Sequence, residues 1–347
     1  MRDIIELQQQ LVPDLLSEMR RRYFILHQIM LSDLVGRRSL AASLGLTERV
    51  LRAETDFLKS QGLLEIHTAG MRISEAGRQL IAEMEPVFKS LFGLSDMEEQ
   101  IREAFGLTQV IIVAGDSDGS PQVKRELGRV GCQVLRRVME RDDVVAVTGG
   151  STISNVASFL TTPTPLKGNL FVPARGGLGE SLDYQANTIA STMAKRTGAG
   201  YRMLHVPDHL GDEAYASIMQ EPNIREIVDV IRSARIVVHG IGDAMVMARR
   251  RKLDSEVIEA MRQDGALAEA FGFYFDRNGQ VVHKMQTVGL RLEDIVKTEV
   301  VIGVAGGKSK GEAIAAIMRF GHNDVLVTDE AAAMEIVAIL GTEQSQA

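Results

Sequence analysis

The sequence offers little that could cross-link, chelate a metal or enter a membrane. Its 347 residues include one cysteine, Cys132, which cannot form an internal disulfide, lacks a companion for structural zinc, and is expected to be buried in a helix. No apolar run approaches the roughly 18 residues of a membrane span. The first residues, with Asp3 and Glu6, lack the apolar stretch of a signal peptide. We therefore expect a cytoplasmic protein without a membrane segment.

Metal and nucleophile motifs are also absent. The seven histidines are scattered without metal-ligand spacing, and none lies in a nucleophile motif. We accordingly predict no catalytic residue, no bound metal and no cofactor.

The net charge of −7 is unevenly distributed along the chain. Residues 1–90 carry 12 basic and 12 acidic side chains, so the remainder holds the whole excess of negative charge. Between Arg20 and Lys59 the count is 8 basic against 4 acidic. Such a local surplus would attract a phosphate backbone, although an ordinary solvated helical surface has a similar pattern.

The first ninety residues have the pattern of a small helical module. Apolar side chains recur at helical spacing over residues 3–31, and interruptions near Pro13 and at Arg20–Arg22 predict two helices. A short amphipathic helix and a glycine turn follow. Thr47 can then N-cap another helix, which ends at Gly62.

This last helix, predicted over residues 48–61, is the element that would enter a DNA major groove. We expect Val50, Leu51 and Leu58 to be buried, with Thr55 farther along among the projecting residues. Strand-like runs on either side of Ala69-Gly70 predict a hairpin wing. The predicted DNA-binding residues are Arg37, Arg38, Thr47, Arg49, Arg52, Lys59 and Arg72. The alternative is a small helical module that binds proteins.

Beyond residue 107 the pattern changes to short apolar runs that alternate with helical stretches. This alternation is typical of an α/β fold with a doubly wound parallel sheet covered on both faces. The predicted strands are Val110–Val113, Val144–Val147, Leu170–Pro173, Tyr201–Val206, Ile236–Ile241, Val300–Ala305 and Val325–Thr328, with a hairpin at 273–283. The predicted domains are a winged helix-turn-helix (1–76), a helical connector broken at Pro86 and Gly93 (77–106), an effector-binding and oligomerisation domain (107–341) and a polar tail (342–347).

Glycine loops and cations follow several of these strands. The loop 149–152 opens a helix near Ile153 and could cradle a phosphate, although a tight turn without a ligand has the same sequence. The loops 173–179 and 306–311 and the basic run 249–252 also follow strands, whose carboxyl ends face one crevice in a parallel sheet. The repeated cations favour an anion with two phosphates.

Two polar residues fit the sugar part of such a ligand. Gln185 could bond hydroxyl groups, or cap a helix, and Glu269 could accept hydrogen bonds from hydroxyl groups, or lie on a helix surface.

The motifs VTGGST at 147–152, PARGGLG at 173–179 and VAGGKSKGEAI at 304–314 resemble those of the SorC family of sugar-sensing bacterial regulators. The resemblance covers nearly the whole chain. It implies an effector domain similar to sugar-phosphate isomerases and deaminases that binds its ligand without turnover. In the glycolytic branch of the family, the implied effector is fructose 1,6-bisphosphate. The implied contacts are Gly149, Gly150, Ser151, Thr152, Arg175, Gln185, Arg250, Glu269 and Lys310.

The sequence thus predicts a repressor of a glycolytic operon that binds operator DNA as a homo-oligomer, a dimer of dimers, and is released by the sugar bisphosphate. One alternative is a sugar-phosphate isomerase or deaminase with a DNA-binding appendage. It would need Glu269 or Lys310 as its acid or base. A second alternative is a helical scaffold with a vestigial domain.

Overall fold

The computed structural model describes residues 11–32, 34–177, 181–208 and 210–344. Its internal contacts divide the chain into two compact units, with the division between Asp96 and Met97. This division falls within the segment 77–106 that the sequence assigned to a connector. In the described part of the chain, no helix is long and apolar enough to cross a membrane.

The N-terminal unit contains helices and one hairpin. Its elements are α1 (Pro13–Ser32), α2 (Arg37–Ser43), α3 (Glu48–Ser60), β1 (Leu64–His67), β2 (Gly70–Ile73) and α4 (Glu75–Leu91), followed by α5 (Leu94–Phe105) at the division. Thr47 caps α3 as predicted, because its Oγ1 accepts a hydrogen bond from the Val50 N–H at 3.3 Å. Strands β1 and β2 pair antiparallel, which confirms the predicted hairpin.

The predicted break at Arg20–Arg22 is wrong, because α1 is continuous. Its adjacent like charges are offset by partners. Arg21 Nε and Arg22 Nε each lie 2.8 Å from a different oxygen of the buried Glu54, and the Arg20 guanidinium lies 4.8 Å from the ring centre of Phe92. The part of the predicted pattern within residues 1–10 lies outside the described residues.

Three further local predictions are wrong. Val50 is 37% exposed and Thr55 is fully buried, whereas Leu51 and Leu58 are buried as expected. Pro86 lies inside α4 without ending it. The predicted break at Gly93 is confirmed, because this residue lies between α4 and α5 with a φ of +71°, which suits a helix end.

The second unit is an α/β domain, which confirms the predicted fold class. Its strands are β3 (Gln109–Val113), β4 (Val144–Val147), β5 (Leu170–Pro173), β6 (Gly200–Tyr201), β7 (Ile236–His239), β8 (Gly242–Asp243), β9 (Ala268–Ala270), β10 (Phe273–Phe275), β11 (Val281–Lys284), β12 (Val300–Val304) and β13 (Val325–Asp329). Its helices are α6 (Pro121–Val138), α7 (Ser151–Phe159), α8 (Ala186–Thr197), α9 (Asp212–Ile218), α10 (Pro222–Arg232), α11 (Ala244–Arg250), α12 (Ser255–Gln263), α13 (Leu292–Ile295), α14 (Gly311–Phe320) and α15 (Glu330–Gln344).

Seven strands form one parallel sheet in the order β3-β13-β12-β7-β4-β5-β6. Every residue of β7 and β13 is buried, as expected of strands covered on both faces. Cys132 is buried in this core, as predicted, and burial raises the pKa of its thiol to about 11. A second, antiparallel sheet of four strands has the order β11-β10-β9-β8.

The ends of several elements differ from the sequence prediction. Strand β6 has two residues rather than six, because the Asn187 side chain bonds both the N–H and the C=O of Leu204 at 2.9 Å in place of a strand partner. Helix α7 begins at Ser151, two residues before the predicted start. Helix α15 extends to Gln344, so residues 342–344 of the predicted tail are helical, and residues 345–347 lie outside the described residues.

We predict that Gly128→Ala destabilises the second unit, because α6 packs closely against α7 at this position. A Cβ on Gly128 would meet the side chain of Asn155 and lie 2.7 Å from its backbone carbonyl carbon. Overpacking of this kind costs about 1–3 kcal/mol. Urea denaturation of the variant measures the loss. Gly119→Ala is the control, since a Cβ there meets nothing within 4 Å, and equal stability of both variants would contradict the prediction.

Candidate functional site

One cleft of the second unit lies where the strand order reverses. After β4 the chain proceeds to β5 and β6 on one side, and after β7 it proceeds to β12 on the other. The loops that follow β4 and β7 therefore diverge at the carboxyl ends of these strands and leave a crevice between them. A crevice of this kind is the usual ligand position in open parallel sheets. Thr148 Oγ1 accepts a hydrogen bond of 3.1 Å from the Gly240 N–H and links the two loops at the base of the crevice.

All nine effector-binding residues predicted from the sequence line this cleft. They are Gly149, Gly150, Ser151, Thr152, Arg175, Gln185, Arg250, Glu269 and Lys310. The remaining wall includes apolar side chains such as Ile153, Met247 and Phe271. Cationic, hydroxyl and apolar groups thus share one concave surface, which suits a small polar ligand with a carbon skeleton.

The N-terminus of α7 forms one end of the site. Gly150 has a φ of +120°, and a Cβ on Gly149 would lie 2.6 Å from the Tyr184 carbonyl oxygen, so both positions favour glycine. No described side chain caps α7, which leaves the first-turn N–H groups of Ser151 and Thr152 available to an anion. The geometry fits the phosphate cradle that the sequence predicts.

The backbone of the loop 306–311 has a different role. Its N–H groups donate to carboxylates of the same unit: Gly307 to Asp329 at 2.7 Å, and Ser309 to Asp118 at 2.8 Å. These N–H groups are therefore not available to a phosphate. The contribution of the loop to the cleft is the side chain of Lys310.

Lys310 is held in an unfavourable environment for a positive charge. Burial lowers its pKa, and the charges of Lys124 and Arg250 lower it further against the opposing effect of Asp118. Among the described residues, no carboxylate forms an ion pair with its ammonium group. A bound phosphate would supply the missing negative charge.

Arg175 and Glu269 belong to a buried group of four charges that the sequence did not predict. Arg175 Nε lies 3.1 Å from Asp208 Oδ1, and its Nη1 lies 3.1 Å from Glu269 Oε1. Arg251 joins the same two carboxylates at 3.0 and 2.9 Å. Burial would raise the pKa of Glu269, but the charges of Arg175 and Arg251 lower it on balance, so Glu269 is a carboxylate.

This arrangement refines two sequence expectations. Glu269 Oε1 is occupied by the two arginines and by the Gly272 N–H, so a ligand hydroxyl would have to use the other oxygen. Within the run Arg249–Lys252 the family resemblance named Arg250, which lines the cleft, and the structure adds that Arg251 is buried behind it. No motif in the sequence pointed to Asp208.

Gln185 was expected either to bond ligand hydroxyl groups or to cap a helix. It occupies the N-cap position of α8, but its side chain makes no cap bond, and it lines the cleft.

Cations on the N-terminal unit fall into two classes. Arg49, Arg52 and Lys59 are exposed on α3 and, within the described part of the chain, form no ion pair. Arg37 and Arg38 on α2 pair with acidic residues of α3, at 3.6 Å to Asp56 and 3.3 Å to Glu48. Thr47 and Arg72 are exposed as well. The unpaired cations of α3 thus present positive charge to the solvent, whereas the charges of the two arginines on α2 are partly neutralised.

Comparison with known proteins assigns both units. The family model described as "Putative sugar-binding domain" matches residues 89–338, and that of the CggR N-terminal DNA binding domain matches residues 19–88. The crystal structure of a SorC family transcriptional regulator from Enterococcus faecalis is 41% identical, covers 70% of this chain and 99% of its own, and has a TM-score of 0.65. The chain belongs to the SorC family of bacterial transcription regulators.

Full-length relatives of this SorC-family regulator are known. It is 50% identical over 338 residues to the central glycolytic genes regulator of Priestia megaterium. The match covers 97% of this chain and 99% of the relative. The protein of the same name from Bacillus subtilis is 46% identical over 337 residues, with the same coverage. The full-length sorbitol operon regulator SorC from Klebsiella pneumoniae is 18% identical, covers 87% and 94% of the two chains with a TM-score of 0.65, and supports the fold alone. The predicted family is thus confirmed, and the chain is a DNA-binding regulator rather than an enzyme.

We predict that Arg251→Met lowers the free energy of unfolding by about 3–5 kcal/mol, because it leaves two buried carboxylates with one arginine. Chemical denaturation measures the change. The neighbouring Arg249 is exposed, so Arg249→Met removes the same charge at little cost. Equal stability of the two variants would show that Arg251 is dispensable to the buried charges.

Proposed function

We propose that this SorC-family regulator represses a glycolytic operon and leaves its operator when fructose 1,6-bisphosphate binds in the cleft. The observation that carries the proposal is the position of Lys310 and Arg250, two cations that line the same cleft as the uncapped N-terminus of α7. The two relatives that match nearly the whole chain are named central glycolytic genes regulators, which supports glycolytic genes as the target.

Charge balance supports a multiply charged effector. Arg175, Arg251, Asp208 and Glu269 neutralise one another, so they add no net charge to the cleft wall. Lys310, which has no ion-pair partner among the described residues, adds positive charge to this wall, and the guanidinium of Arg250 lies in the same wall. A ligand that carries two phosphates meets both cations and α7, whereas the free oxygen of Glu269 suits a sugar hydroxyl.

The same buried charges argue against Glu269 as the base of an isomerase reaction. A sugar-phosphate isomerase needs a base whose pKa lies near the working pH. The arginines lower the pKa of Glu269, which makes this carboxylate a weak base. Glu269 is therefore better suited to accept a hydrogen bond from a ligand hydroxyl than to remove a proton.

Repression requires the DNA-binding unit to respond to the effector. In the proposed mechanism, a dimer of dimers holds the operator through Arg49, Arg52 and Lys59, and the bisphosphate binds more tightly to a form that assembles poorly on DNA. A coupling free energy of about 1–3 kcal/mol would change operator affinity roughly 5- to 150-fold. The arginines of α2, which already have acidic partners, would contribute less than those of α3.

The effector proposal is tested by isothermal titration of the protein with fructose 1,6-bisphosphate, fructose 6-phosphate and glucosamine 6-phosphate, with and without operator DNA. We expect the bisphosphate to bind most tightly, without turnover, and to weaken DNA binding. Lys310→Met should weaken bisphosphate binding roughly tenfold or more, because a charge-assisted bond is lost.

Lys308→Met is the matched control, since Lys308 is exposed, pairs with Glu335 and lies outside the cleft. Equal loss in both lysine variants would place the anion elsewhere. Preference for a monophosphate would assign another effector, and conversion of any of the sugars would favour an enzyme.

We predict that Arg52→Ala weakens operator binding by about 1–3 kcal/mol, as expected for loss of one arginine contact to a base. Fluorescence anisotropy with labelled operator DNA at constant salt measures the affinity. Arg262→Ala is the control. It removes an exposed arginine from the other unit and should change the operator affinity by less than twofold. Both variants should bind the sugar bisphosphate normally. Unchanged operator affinity of Arg52→Ala would remove this residue from the DNA-binding surface.

A further inference from the structure

The turn between β9 and β10 holds a bulky residue in a left-handed backbone conformation. Its two central residues are Phe271, with a φ of +57°, and Gly272, with a φ of +83°. Two-residue hairpin turns with positive φ at both positions strongly favour asparagine, aspartate or glycine. Among the described residues other than glycine, three more have positive φ, namely Asp142, Lys252 and His322, and none of these carries a large apolar side chain.

The ring of Phe271 is supported from behind. Its centroid lies 4.6 Å from that of the fully buried His239, whose Nε2 lies 2.7 Å from Asn323 Oδ1. Gly303 leaves room for this pair, because a Cβ there would lie 3.3 Å from Asn323 Oδ1. The ring is therefore held in place, and only 6% of Phe271 is exposed.

The turn is also tied to the charged part of the cleft. The Gly272 N–H donates to Glu269 Oε1 at 2.9 Å, and a Cβ on Gly272 would lie 3.3 Å from Arg175 Nη1. The surroundings thus fix the strained conformation of Phe271 from both sides. Strained residues that the surrounding structure holds in this way cluster at ligand-binding sites.

Phe271 lines the cleft that also contains the N-terminus of α7, Lys310 and Arg250. These groups attract any phosphate, including the free ion, so they cannot by themselves select a sugar. A fixed apolar ring in the same wall offers a surface for carbon-bound hydrogens and excludes water from it.

We propose that Phe271 is a specificity-determining residue, whose ring packs against the carbon skeleton of a bound sugar phosphate and distinguishes it from inorganic phosphate. This inference rests on the proposed function, since it requires a sugar phosphate in the cleft. In this proposal the polar groups provide the affinity for phosphate, and Phe271 provides the preference for the sugar.

The test compares fructose 1,6-bisphosphate with inorganic phosphate, using calorimetry for the sugar and competition for the weaker ion. Phe271→Asn removes the ring but suits the turn, and Phe271→Leu retains an apolar side chain. Phe273→Leu is the control, because Phe273 is equally buried in the same small sheet and lies outside the cleft lining. Thermal denaturation shows whether each variant is folded.

We expect Phe271→Asn to weaken sugar bisphosphate binding at least tenfold and phosphate binding by less than twofold, with a smaller selective loss in Phe271→Leu. Phe273→Leu should bind both as the original protein does. Equal losses for both ligands would overturn the proposal, since the ring would then only support the shape of the site. Unchanged sugar binding in both Phe271 variants would overturn it as well.

If Phe271→Asn does not fold, Phe271→Leu decides, and an equal effect on both ligands contradicts the proposal. The unsubstituted protein tests the proposed function separately. If it binds phosphate but no sugar phosphate, the proposed function fails, and the role of Phe271 fails with it. If it binds the sugar and the Phe271 variants do too, only the role of Phe271 fails.

Discussion

Strands β4 and β7 lie side by side at the centre of the parallel sheet, and the chain leaves their carboxyl ends in opposite directions. A crevice between the two loops is the direct result, and the hydrogen bond from the Gly240 N–H to Thr148 joins them at its base. The cleft residues are brought together by this reversal, although they come from positions between 148 and 310 in the chain. The position of the site is thus a property of the strand order.

Within the cleft, the charges are separated by role. Arg175, Arg251, Asp208 and Glu269 form a balanced buried set, in which each carboxylate is close to both arginines. A set of this kind orients its members and is costly to break, but it presents little net charge to a ligand. The surroundings of Lys310 instead disfavour its charged form, which lowers its pKa. The protein therefore separates the charges that shape the wall from those that attract an anion.

Periodicity and loop composition were sufficient to predict the sheet and the loops at its carboxyl edge, and the family resemblance named nine residues that line the cleft. The seven strands, the Thr47 cap and the hairpin were recoverable because each depends on a local pattern. Contacts between residues that are distant in the sequence could not be predicted in this way. Arg20–Arg22 appeared to interrupt a helix, since nothing local indicated that Glu54 would neutralise two of the arginines.

The glycine loop at 306–311 illustrates the same limit. Its composition is that of an anion-binding loop, and only the fold brings Asp118 and Asp329 to its N–H groups. The family resemblance nevertheless identified Lys310 correctly as a cleft residue, because that position is set by the strand and the turn that follows it. No sequence signal pointed to Asp208, and the basic run 249–252 did not indicate that Arg251 would be buried between two carboxylates.

The carboxylates that occupy the 306–311 loop have an energetic consequence for recognition. A flexible glycine loop loses conformational entropy when a ligand orders it, and that loss reduces affinity. Here Asp118 and Asp329 act as built-in anions and order the loop in advance. An arriving ligand then meets Lys310 on a backbone that is already rigid, so little of its binding energy is consumed by loop ordering on this side of the cleft.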